Sequence, residues 1–270
     1  MTLRKMTTLA LGVPLFFARQ SYPAEPTLIA IGSVSGLYED FAKQTAGRLE
    51  NNVPGNRLGG IGSGLAWLGD DTFFALPDRG PNAVSFNSCT DDTVSYINRF
   101  QTFRLSLSAS DPGSKLPFTL TPMLTGTTLL SSHTPLVYGA GCGAVGSGAP
   151  ALNAVDRTHY FTGRSRVKSL TADPADLDPT QIPAKLEGIA FGADLTSTDP
   201  ATNQTITRHT LFVANDNDFL ATLSPPVGTG DNPNQFFVYA FNDADLPSYV
   251  PQQFQNGDDD DDDDHEGQHD

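Results

Sequence analysis

The densest apolar pattern runs from Gly64 to Leu76: Gly64-Leu65-Ala66-Trp67-Leu68, then Gly69-Asp70-Asp71, then Thr72-Phe73-Phe74-Ala75-Leu76. Two short apolar runs around a Gly-Asp-Asp break predict a β-hairpin, whose second strand hands the chain to Pro77-Asp78-Arg79-Gly80. A near copy follows later. Leu186-Glu187-Gly188-Ile189-Ala190-Phe191-Gly192 rises, and Thr210-Leu211-Phe212-Val213-Ala214 returns to Asn215-Asp216-Asn217-Asp218. Aligned without gaps in the return strands, Thr72 falls on Thr210 and Asp78 on Asp216. Gly64 likewise falls on Gly188, and Ser63 on Glu187. A repeated hairpin ending in acidic and amide side chains predicts radial repetition of one β unit around a shared axis. Two unrelated hairpins are the plainer alternative.

Further strands extend each copy. Arg99 to Leu107 alternates Phe100, Thr102 and Arg104 against Gln101, Phe103 and Leu105, and Phe118 to Leu130 follows with Pro122 and Gly126 as bends. With the hairpin these make a four-stranded meander, the unit of a propeller blade. The second copy continues into Asn234 to Asn242, and its fourth strand is expected from the N-terminal run Thr27 to Ser33, pairing the two ends of the chain. Leu37 to Arg48 reads as a short helix or an irregular excursion, and Pro81 to Tyr96 as a polar loop. From Ser131 to Lys185 the sequence offers one strand, near His159 to Thr162, and no third hairpin. The expected class is all-β, of the β-propeller type with four-stranded antiparallel blades, two of them clear.

Composition agrees: 25 glycines and 20 prolines in 270 residues suit short strands and many turns. The net charge of −15 is less telling, because nine of the negative charges lie between Asp258 and Asp270, leaving −6 elsewhere. That tail, 257–270, has nothing apolar to bury and reads as disordered, with loose cation binding as its alternative. No basic stripe is present, so nucleic acid is a poor partner. Arg4-Lys5 ahead of the apolar run Met6 to Ala18 reads as an export signal over 1–24, placing the protein in the periplasm or outside the cell. No segment is long and apolar enough to be a transmembrane helix.

Gly141-Cys142-Gly143-Ala144-Val145-Gly146 fits G-x-G-x-x-G, but Ser147-Gly148-Ala149-Pro150 opens no helix, so the stretch reads as an ordinary flexible loop in preference to a dinucleotide site. Ser63 and Ser147 each have a branched residue where a nucleophile elbow needs its first glycine. The histidines lack zinc spacing. Cys89 and Cys142 read as one disulfide in an exported chain, or as two free thiols in a cytosolic one. Asp78, Arg79, Glu187, Asn215, Asp216, Asn217 and Asp218 remain: carboxylate and amide oxygens at strand ends suit Ca²⁺, and an adjacent arginine can grip a phosphate bidentately. Their alternative is structural, as turn formers.

The string NRLGGIGSGLAWLGDDTFFALPDRGPN, with LEGIAFG and TLFVANDNDF, resembles the phytase-like family, exported bacterial proteins with esterase-like activity of phytase. The resemblance covers about Pro26 to Phe254, within a domain taken as 25–256. It implies a propeller with an acidic axial face and calcium-dependent hydrolysis of a small phosphoric ester. Asp78, Arg79 and Glu187 would then serve catalysis, Arg79 would bind substrate, and Asp78, Glu187, Asn215, Asp216 and Asp218 would hold calcium. Family members carry further blades between the counterparts of Arg164 and Lys185, with D-P-E and D-E-Y-G-P strings absent here. The chain is thus internally shortened near 164–185, and a non-catalytic propeller remnant, a binding or surface protein prone to self-association through an uncovered sheet, stands as the alternative function. In exported protein, Cys89 and Cys142 should resist alkylation until reduced; two freely alkylated thiols would reject the pairing.

Overall fold

The computed structural model describes residues 26–77, 80–81, 85–87, 90–91, 96–131, 183, 185–198, 201–223 and 229–254. The expected export segment, Asp78, Arg79, Cys89, Cys142, the stretch up to 182 expected to be shortened, the strand expected near His159 and the acidic tail lie outside these residues. In order, the described elements are β1 (Thr27–Val34), 3-10 turns at Lys43–Thr45 and Glu50–Asn52, β2 (Gly64–Gly69), β3 (Thr72–Leu76), β4 (Ser85–Asn87), β5 (Thr90–Asp91), β6 (Arg99–Ala109), β7 (Phe118–Leu129), β8 (Leu186–Thr198), β9 (Thr205–Asn215), β10 (Thr222–Leu223), β11 (Gly230–Asp231) and β12 (Asn234–Phe241). The architecture is all-β. Among the described residues, no helix is long and apolar enough to cross a membrane.

Two antiparallel four-stranded sheets carry the fold, one ordered β2-β3-β6-β7 and the other β8-β9-β12-β1. The first is the expected meander. Its hairpin turns where Gly69 and Asp70 take positive φ values of 111° and 47°, a backbone open to glycine and tolerated by aspartate. The bend expected at Gly126 is a bulge: Gly126 pairs with Thr102 and Leu124 with Phe103, leaving Thr125 over. Pro122 is tolerated because β7 is an edge strand. The second sheet is completed by β1, with Thr27 opposite Ala240 and Val34 opposite Asn234. Two-stranded ribbons, β4-β5 and β10-β11, complete the topology, the first inside the stretch read as a plain polar loop.

Between β1 and β2 the excursion reading holds. Leu37, Tyr38 and Phe41 are exposed, so no apolar face drives a helix, and only the Lys43–Thr45 turn forms. Asp40 organises it, accepting from the Ala42 amide at 2.9 Å and the Thr45 hydroxyl at 2.7 Å. The second oxygen of Asp40 pairs with the buried Arg99, whose remaining donors reach the Gly55 carbonyl at 2.7 Å and the Tyr96 hydroxyl at 3.2 Å.

Pairing registers match between the two hairpins: Gly64 lies opposite Leu76 and Gly188 opposite Ala214, Ala66 opposite Phe74 and Ala190 opposite Phe212. Yet the faces that meet are not equivalent. From the first sheet Phe73, Ala75, Phe103 and Leu105 enter the shared core; from the second come Ala190, Phe212, Ala214, Phe236 and Val238. Phe212 is the counterpart of Phe74, while Leu211, the counterpart of Phe73, packs on the far side with Leu28, Val213, Phe237 and Tyr239. A two-fold sandwich would bury the same face of each repeat. Here the repeats stack head to tail, as though by translation. Ring contacts of 4.5 Å for Phe73 with Phe212 and 5.7 Å for Phe103 with Phe236 fill the gap.

At one end the backbones touch. A Cβ on Gly62 would lie 1.9 Å from the Asn215 carbonyl oxygen, and one on Gly188 would lie 2.6 Å from the Gly62 oxygen. Only glycine allows this approach. The parity of the packing can be measured: Phe73→Ala and Phe212→Ala should each cost about 3–5 kcal/mol in denaturant unfolding, and Phe74→Ala distinctly less. Equal losses at Phe73 and Phe74 would contradict the arrangement.

Candidate functional site

The close end of the sheets is where β2, β8 and β12 begin and β3 and β9 finish. Side-chain amides lock it. Asn215 accepts from the Gln235 amide at 2.5 Å. Asn217 accepts from the amides of Gly60 at 3.0 Å and Phe219 at 3.2 Å and donates to the Asn232 carbonyl at 2.9 Å. Asn234 donates to the Leu58 carbonyl at 2.9 Å. Phe219 seals the junction, its ring against Gly59 and Gly60 and edge-on to Tyr96 at 5.5 Å.

Above this layer the acids gather. Asp216, with its side chain only 4% exposed, accepts from the Asp218 amide at 2.7 Å through one oxygen and from the Lys185 ammonium through the other. Lys185 also donates to Asp218, and Glu187 stands 4.0 Å from the same nitrogen. The Asp216 amide donates to the Lys185 carbonyl at 2.9 Å, so backbone and side chain tie the two segments together. Burial works to discharge the lysine, but the hydrogen bonds to Asp216 and Asp218 outweigh it and lift its pKa above the usual value. Lys185, Asp218 and Phe219 all take positive φ, at 58°, 55° and 56°. Three left-handed non-glycine residues in one junction store strain that the surrounding bonds hold in place.

Of the expected site residues, Glu187, Asp216 and Asp218 are thus brought around one ammonium. Asn215 and Asn217 face the sheet junction, with their amide oxygens committed to backbone donors. Asp78 and Arg79 lie outside the described residues; their neighbours Pro77, at the end of β3, and Gly80, against Tyr96, belong to this same end. Among the described residues no group of three or more His, Cys, Asp or Glu side chains is arranged to hold a metal ion.

A second polar constellation escaped the sequence reading. His209 on β9 is bracketed by Asp194 of β8 and Asp243 beyond β12, each 2.8 Å from a different ring nitrogen, with Tyr249 and Phe241 against the ring at 4.6 and 5.2 Å. Carboxylates on opposite nitrogens cannot share one metal ion with the ring, so this is an ion-paired clamp. Its three members come from separate elements, and only the three-dimensional pairing assembles them. Burial lowers the His209 pKa, but the bonds to Asp194 and Asp243 prevail and raise it above its ordinary value. A raised folded pKa gives stability that is complete below the unfolded pKa of about 6.5 and is lost as pH climbs through the folded one. The thermal midpoint should therefore fall as pH rises from about 6.5 through the folded value, and His209→Phe should flatten that slope.

No family model, curated protein or solved structure matches the chain.

Proposed function

We propose that the chain is an exported, phytase-like protein of the propeller kind that binds and hydrolyses phosphoric esters at the close end of its sheets. The observation that carries this reading is the convergence of Glu187, Asp216 and Asp218 on a single cation at strand ends. Head-to-tail stacking of two equal-register sheets supports the propeller part, because that is how blades follow one another around an axis. Arg79, next to Asp78, would take two oxygens of a phosphoryl group through its planar fork.

Calcium is the ion that the resemblance implies. The donors suit it in kind, being carboxylate oxygens, but three side chains fall short of the roughly six to eight oxygens it takes, and Lys185 holds the central place. Glu187, Asp216 and Asp218, which as they stand form no metal-holding group, would have to close on the ion with Lys185 turned toward solvent, while Asn215 stays with Gln235. When bound, calcium screens the ester's charge and readies water for attack. The released Lys185 would be a further donor to the phosphoryl oxygens.

The compensated cluster also favours the second reading, a non-catalytic propeller remnant that binds without turnover, since Lys185 neutralises much of its charge with no metal. Calcium separates the two. Bound at a hundredfold excess over Kd it should stabilise the wild type by about 2.7 kcal/mol, read as a rise in thermal midpoint. Lys185→Met should melt lower without calcium and respond more strongly to it; Asp216→Asn should lose most of the response. Phosphate release from phytate or a nitrophenyl phosphate should require calcium. No shift in either wild type or Lys185→Met would end the calcium reading and leave the remnant.

A further inference from the structure

The chain does not leave the body at the end of β12. From Asn242 to Phe254 it crosses the end of the sheets opposite Gly62, where β12 finishes and the β2-β3 hairpin turns. Asn242 and Asp245 close a turn, the Asn242 amide donating to the Asp245 carboxylate at 2.7 Å and the Asp245 amide to the Asn242 carbonyl at 2.9 Å. Tyr249 then seats its ring 4.5 Å from Phe191, 4.6 Å from His209 and 5.3 Å from Phe241, all on the second sheet. Further on, the Gln252 side-chain amide donates to the Trp67 carbonyl at 3.3 Å, and the Phe254 ring stands edge-on to Trp67 at 5.1 Å, on β2 of the first sheet. The segment is therefore a strap joining the two sheets at their far end.

Little apolar burial holds it. Leu246, Val250 and Phe254 are exposed, and the strap's one ion pair among the described residues is that of Asp243 with His209. Asp194 of β8 and Asp243 of the strap each face a different ring nitrogen, so both bonds exist only while the ring carries two protons. A neutral ring turns a lone pair toward one of the carboxylates. Asp243 is the one that yields, because its side chain is 91% exposed against 34% for Asp194, and water takes over its solvation at once. Of the other charged or titratable groups at this end, Tyr249 has its pKa raised by burial first and by Asp194 second, so its phenol stays neutral. Arg208 donates to the Ala240 carbonyl at 3.2 Å, and Asp245 is engaged with Asn242. None of these is a histidine, the side chain whose ordinary pKa lies near neutrality.

We propose that residues 242–254 form a pH-latched strap, docked across both sheets while His209 carries two protons and released toward solvent when the ring becomes neutral. The sign follows from linkage. Docking places Asp243 against His209 and favours the charged ring, so removing the proton weakens docking by the same amount. The strap holds at mildly acid pH and opens as pH climbs through the folded value of His209, which lies above the ordinary one of about 6.5. Opening uncovers Phe191 and Phe241 on the second sheet and Trp67 on the first, at the end of the sheets opposite the acidic cluster. The pairing of β8, β9 and β12 does not pass through the strap, so the opening is local and the sheets stay intact. The device needs neither calcium nor a phosphoric ester.

Trp67 is the chain's single tryptophan, so its emission reports the strap. The test follows Trp67 emission and its quenching by acrylamide in the full chain, well below its melting temperature, as pH is raised from about 6 to about 9, a range that spans the histidine transition. The wild type should shift its emission to longer wavelength and become more quenchable along one titration curve, while the far-ultraviolet circular dichroism of the strands holds. Asp243→Asn, a change at an exposed side chain, should remove that response, since an amide can accept from the ring or donate to it and so serves both protonation states. His209→Phe should remove it too. Flat emission and quenching in the wild type, a response kept in full by Asp243→Asn, or one accompanied by loss of the strand signal would overturn the strap.

Discussion

The backbone contact at Gly62 governs the rest of the molecule. With the Asn215 carbonyl where a Cβ would stand, the two sheets can meet at this end only if the chain entering β2 has no side chain there. That contact fixes how far one sheet slides on the other, and so which aromatic residues interdigitate. It also places the loop after β9, with Asp216 and Asp218, against the loop before β2. Hydrogen bonds from Asn217 and Asn234 then fasten it, so the junction is held by directional bonds and not by apolar burial alone.

A buried ion pair performs a comparable office on the other flank. Asp40 and Arg99 are both withdrawn from solvent, which is favourable only when each of their polar atoms finds a partner. Here Ala42, Thr45, Gly55 and Tyr96 complete the set, and the Tyr96 ring lies 4.3 Å from the guanidinium carbon. The excursion from Leu37 to Arg48, which buries no apolar side chain, is thereby anchored to the start of β6. This explains how a segment with three exposed large hydrophobic residues keeps a defined course.

The local elements were legible in the sequence because period-two patterning and turn chemistry act over a few residues. The hairpin at Asp70, the alternation through Phe103 and the bend at Gly126 follow from such signals, whereas the joining of the N-terminal strand to β12 was legible because the second copy of the meander lacked a fourth strand. Face parity was not legible. In β9 and β12 both faces are apolar, so alternation vanishes there, and Phe212 and Val213 look alike until their partners are seen. The acids of the Asn215 to Asp218 turn were visible as a cluster, but not that Lys185 would sit among them, since charge compensation depends on a residue 31 positions before Asp216. The same limit hid His209, whose two carboxylates come from different elements.

Completion of the second sheet by β1 carries a consequence for how the chain is made. On a ribosome, β2, β3, β6 and β7 emerge in an order that lets each pair with one already present, so the first sheet can assemble during synthesis. β1, the first described strand, cannot. Its partner, β12, is the last described strand, and until then Leu28 and Ile29 remain without their sheet. Long-range closure of this kind is slow and leaves an unpaired edge open to other chains meanwhile. The vulnerable stage in the protein's life is therefore the interval between the translation of β1 and that of β12.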